Sequence, residues 1–92
     1  MSKEKQKVKA KETIDDLFDK IENLEEKQKH VSDEMKQNYQ NQLKEMKAKH
    51  AELKKRYKDL EESTGEKWEH AKAKFSESAE YIKAGLSKLS EI

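Results

Sequence analysis

Three histidines, His30, His50 and His70, are the side chains best suited to metal or acid–base chemistry in this sequence. A specific metal site needs three or four ligands converging on one point. Glu66 and His70 have the i, i+4 spacing that puts two ligands on one helix face, and two ligands make no specific site. The carboxylate pairs Asp15-Asp16 and Glu61-Glu62 are adjacent, so a helix points them at different parts of its surface. There is no cysteine, no glycine-rich phosphate loop and no nucleophile elbow. So small and polar a chain also has little with which to build a water-excluding pocket. No catalytic residue, metal or cofactor is expected, and the chain reads as a non-enzyme.

Composition and periodicity say what elements would carry these groups. The chain has 92 residues, 32% apolar and 45% charged, with no Pro and two Gly. That bounds it to one domain at most, either an extended helical coiled coil or a disordered chain. No apolar run approaches the ~20 residues that span a bilayer. The start, MSKEKQKVKAKE, is basic like a signal peptide but lacks its apolar segment, so a cytoplasmic location is expected.

Periodicity selects the helix. Ile14, Leu17, Ile21, Leu24, Gln28, Val31 and Met35 recur in alternating steps of three and four, the heptad signature of a coiled-coil seam. The stripe passes Tyr39 in steps of four and resumes as Leu43, Met46, His50, Leu53, Tyr57 and Leu60. The phase change predicts local unwinding of the supercoil near Tyr39. His50 lies on the seam, where a polar side chain sets register, and Met35 and Met46 read as seam fillers. Pairs at i, i+4 add support: Asp16 with Lys20, Glu25 with Lys29, Glu45 with Lys49, and Glu52 with Arg56.

So narrow a seam needs a partner. Residues 12–34 carry nine acids against three bases, a net −6. Residues 35–58 carry eight bases against two acids, a net +6. An antiparallel dimer centred near Met35 sets one block against the other, and summed potential of this kind chooses orientation. A turn near KHVSDE, with Ser32 as N-cap, would give the same match within one chain as a monomeric three-helix bundle. The three-four phase continues from residue 28 to 35, and no Gly or Pro accompanies Ser32, which favours the unbroken helix. A basic block beside an equal acidic one also argues against nucleic acid as a partner.

Gly65 can end a helix by adopting positive φ, and Ser63 and Glu66 have capping-box spacing. The stripe runs on in phase through Thr64, Trp68, Ala71 and Phe75, so a continuous helix is the alternative. Residues 66–91 are the most apolar stretch, with Trp68, Phe75, Tyr81, Ile82, Leu86 and Leu89, and would overhang a straight dimer. A reversal at Gly65 buries them. The expected fold is therefore all-α, an antiparallel coiled-coil dimer. Residues 1–11 form a basic, frayed segment, 12–62 a long coiled-coil helix, 63–66 a turn, and 67–92 a short amphipathic helix packed on 39–60. EHAKAKFS (69–76) and EYIKAGLS (80–87) echo each other at eleven residues, three turns of nearly straight helix. Such a helix packs on other helices or lies on lipid.

A long charged helix, a break carrying Ser63, Gly65, Glu66 and Trp68, and a short helix with lysines and Phe75 resemble a family of small bacterial coiled-coil proteins. These are loosely labelled stress-response proteins; here Thr64 intervenes between Ser63 and Gly65. The resemblance implies no established biochemical activity and a link to stress. The expected function is a self-associating scaffold or adaptor, partnered by its own copy and by another protein. The alternative is a protective protein whose helix 67–92 binds a membrane surface or unfolded clients.

Overall fold

The structure, a computed structural model, describes residues 3–92. Met1 and Ser2, the first two residues of the expected frayed segment, lie outside the described residues. Helix α1 spans Lys3–Lys27, a 3₁₀ turn spans Gln28–His30, α2 spans Asp33–Glu62 and α3 spans Glu66–Ser90. The described residues are otherwise turns, with no strand. Lys7 at the start of α1 reaches the Glu61 carbonyl at the end of α2, and Lys27 at the end of α1 reaches the Ser90 carbonyl at the end of α3. The helices therefore run up, down and up, in a rod of 50 × 17 × 16 Å.

Two expectations about the first half are overturned. Residues 12–62 are not one helix: the chain reverses between α1 and α2. Val31 (φ −81, ψ 138) and Ser32 (φ −62, ψ 154) are both extended. The Ser32 carbonyl starts α2 by accepting from the Met35 and Lys36 N–H groups at 3.1 and 2.9 Å. Asp33 and Glu34 in the first turn suit the positive end of the helix dipole. The heptad phase across this break rests on three positions, and of Gln28, Val31 and Met35 only Val31 packs against the core. An apolar stripe is wide enough for such agreement to arise without a helix running through it. Reversal buries both halves of the stripe against each other and sets the −6 block beside the +6 block.

Nor is the start of the chain frayed from Lys3 onward. Ala10, four residues before Ile14, extends the stripe and is buried. The Lys3 and Lys7 ammonium groups lie 5.5 and 5.8 Å from the centroid of the Trp68 ring. The first turns of α1 thus cover an aromatic surface that the isolated terminus would not have.

Between α2 and α3 the chain turns through Ser63, Thr64 and Gly65, with Gly65 at φ 59. The expected capping box does not form. Ser63 Oγ donates to the Asp59 carbonyl one turn back, and α3 starts with the Lys67 and Trp68 N–H groups donating to the Thr64 and Gly65 carbonyls. Of the four anticipated i, i+4 ion pairs the described residues hold Glu52–Arg56, at 3.3 Å. Lys29 pairs instead with Glu26, and Glu25 reaches across to Lys47 on α2 at 3.0 Å.

One continuous core runs the length of the rod. Tyr39, Leu17, Leu53, Leu60, Ile82 and Leu89 are its most deeply buried large side chains. Each aliphatic residue so buried contributes about 1.5–3 kcal/mol from removal of apolar surface from water. The seam expected to need a second chain is satisfied by the other two helices of its own.

Candidate functional site

The stripe residues Ile14, Leu17, Ile21, Leu24, Tyr39, Leu43, Met46, Leu53 and Leu60 all point into the core. Val31 and Tyr57 are half-buried against it, and Met35 is 39% exposed, at the α2 end of the reversal rather than inside a seam. From α3, Trp68, Phe75, Ile82, Leu86 and Leu89 are buried and Ala71 is packed at the edge. Tyr81 faces water, half exposed. Ser63, Gly65 and Glu66 form the turn and the first residue of α3.

Polar groups enter this core at two points. Tyr39 is fully buried and its hydroxyl donates to the Leu24 carbonyl at 2.6 Å, in the last turn of α1. Burial raises the Tyr39 phenol above its ordinary pKa, so it holds its proton and remains a donor. His50 is also buried, and its Nε2–H donates to the Ile14 carbonyl at 2.9 Å. Both bonds cross from α2 to α1, at heights set by the stripe, and so fix the register of that hairpin.

The outer surface offers grooves between helices. Between α1 and α2, Phe18, Ile21, Glu25, Lys47, His50, Ala51 and Lys54 line a recess of about 330 Å³. Its floor is the Phe18–His50 ring pair, with centroids 5.8 Å apart, and Lys54 Nζ sits 6.0 Å over the Phe18 ring. Between α2 and α3 a groove of about 490 Å³ is lined by Lys49, Glu52, Arg56, Lys74, Glu77, Ser78, Glu80 and Tyr81. Tyr81 donates to Glu45 Oε1 at 2.7 Å, and that hydrogen bond and the carboxylate charge raise its phenol pKa. A further groove of about 580 Å³ holds His70 with Arg56, Asp59, Glu62, Lys67 and Lys74. Each mixes acids and bases along an open channel. Such a surface can meet the charged surface of another protein. Among the described residues no group of three or more His, Cys, Asp or Glu could hold a metal ion, Glu66 and His70 included. No helix among them is long and apolar enough to cross a membrane.

Some positions were legible but small enough to overlook. Ala10 and Ala79 lie on their stripes, four residues from Ile14 and Phe75, and are buried. Gly85 faces Met46: a Cβ there would fall 2.8 Å from Met46 Cε. Its absence lets α3 approach α2 closely. Comparison of the chain with protein-family models, curated proteins and solved structures finds no match. The grooves must be read on their own geometry.

Proposed function

We propose that this chain is a non-enzymatic helical interaction protein, a cytoplasmic scaffold or adaptor that associates with its own copy and with a further protein. The observation that supports this reading most is the division of labour in the bundle. The apolar stripes are spent inside, and the long sides carry paired charges in open channels. In an association of two copies, residues 12–34 of one chain lie antiparallel to residues 35–58 of the other, the arrangement the charge blocks favour. The resemblance to loosely labelled stress-response coiled-coil proteins adds a link to stress to the reading.

Light scattering over a range of protein and salt concentrations tests self-association. The expected result is a mass rising from 10.9 kDa towards twice that value with increasing concentration; a mass of one chain throughout refutes it. The membrane or client reading has one feature in its favour, the six buried apolar residues of α3. It requires α3 to leave the bundle. Anionic vesicles containing brominated lipid would then quench Trp68 fluorescence, whereas a scaffold that keeps α3 in place leaves the emission unchanged.

A further inference from the structure

The reversal at residues 28–32 is built from residues that can all be helical. Gln28, Lys29, His30, Val31 and Ser32 include no Gly and no Pro, and the only positive φ among the described residues is at Gly65. Ser32 makes no side-chain capping bond, and no described group accepts from its backbone N–H. Straightening the segment would give these amides helical partners. It would also merge α1 and α2 into one helix of residues 3–62, roughly 90 Å long.

The contacts along the α1–α2 hairpin say what such a helix would meet. Ile14 bonds His50, Leu24 bonds Tyr39, Glu25 pairs with Lys47 and Lys7 reaches Glu61. The two buried pairs, Ile14 with His50 and Leu24 with Tyr39, are centred at the reversal, and the two long lysine contacts are centred within a turn of it. Two straightened chains laid antiparallel therefore bring the same pairs together between copies. The contacts of α1 with α3, such as Lys27 with the Ser90 carbonyl, transfer in the same way. Near the two-fold axis one new surface appears. The stripe positions Gln28, Val31 and Met35 would face their counterparts, covering the Met35 side chain that the closed chain leaves 39% exposed. The unbroken three-four phase across the reversal brings only Val31 to the core of the closed bundle. In the opened one it is the seam at the centre of the dimer.

We propose that two copies of this chain associate by exchanging α1: residues 28–32 become helical, and each α1 packs against α2 and α3 of the partner. This rests on the self-association reading above and gives its mechanism. The closed monomer and the exchanged dimer share every core contact and differ at the hinge, so concentration and hinge sequence set the balance between them.

Ser32 provides a discriminating substitution. Its φ of −62 suits proline, its N–H has no bond to lose, and Val31 before it is already extended. Ser32→Pro therefore fits the closed chain and is excluded from a continuous helix. The proline penalty is roughly a hundredfold per helix, so the dimer should weaken by roughly 10⁴-fold. Wild type and Ser32→Pro would be unfolded, refolded at millimolar and at low micromolar concentration, and sized by gel filtration with light scattering. Expected is a dimer for wild type refolded at high concentration, a monomer for Ser32→Pro at both, and more dimer for Ser32→Ala. A Ser32→Pro protein that dimerises as wild type does overturns the exchange, and with it the pairing of residues 12–34 with 35–58 between copies, while leaving self-association through the charged outer grooves intact. A wild type that stays monomeric after both refoldings overturns both. Should Ser32→Pro fail to fold, co-refolded Glu25→Cys and Lys47→Cys chains decide. The chain has no native cysteine, so exchange gives a disulfide between one copy of each, and its absence refutes the proposal.

Discussion

Gly65 offers a test in which two mirror-image substitutions should act in opposite directions. At φ 59 and ψ −131 its backbone lies outside the small left-handed basin that other residues tolerate. A Cβ built there touches nothing within 4 Å. Any cost of Gly65→Ala is therefore backbone strain rather than collision. Holding an L-residue there costs about 2–3 kcal/mol, and alanine's more restricted unfolded chain returns about 0.4–1 kcal/mol, leaving a net loss of about 2 kcal/mol. With 92 residues and an unfolding entropy of about 2.1 cal/mol/K per residue, that lowers Tm by about 10 °C. D-alanine at position 65, introduced by chemical ligation, should do the reverse. The mirror image of this conformation is the polyproline II backbone that an L-residue favours. The D-residue thus keeps the entropic gain without the strain, raising Tm by about 2–5 °C. Melts followed by far-ultraviolet circular dichroism at one fixed concentration read both. If Gly65→Ala stabilises while D-alanine destabilises, α2 and α3 are one continuous helix in solution and the reversal at Gly65 is wrong.

Trp68 is buried at the end of the core under Lys3 and Lys7, so Trp68→Ala should cost about 3–5 kcal/mol in denaturant unfolding; a silent substitution would mean that α1 and α3 do not close over it. Tyr39→Phe removes the bond to the Leu24 carbonyl and should cost about 1 kcal/mol near neutral pH. Burial raises the Tyr39 pKa above its ordinary 10.0, so the unfolded chain loses this proton first as pH rises. Stability should be at its full value below pH 10 and fall above it, and Tyr39→Phe should flatten that alkaline decline in urea titrations. An unchanged decline would place the tyrosine in water.

The sequence by itself determined that this chain is helical and where its apolar stripes run, though Met35 and Tyr81, expected inside, are exposed. Ile14, Leu17, Ile21 and Leu24 on one stretch, and Leu43, Met46, Leu53 and Leu60 on another, repeat at a helical period that no strand or coil would need. Whether a stripe meets another helix of the same chain or a second copy is not written in its period. The acidic and basic blocks match equally well in either case, and His50 or Tyr39 can bond a carbonyl of either chain. That choice falls to the five residues between α1 and α2. Closing so short a connection costs little chain entropy, and it holds α1 beside α2 at an effective concentration that a second molecule reaches only when abundant. Val31 and Ser32 carry no Gly or Pro to announce the reversal. It exists because Tyr39, His50 and the whole of α3 reward it, and those contacts join residues far apart in sequence.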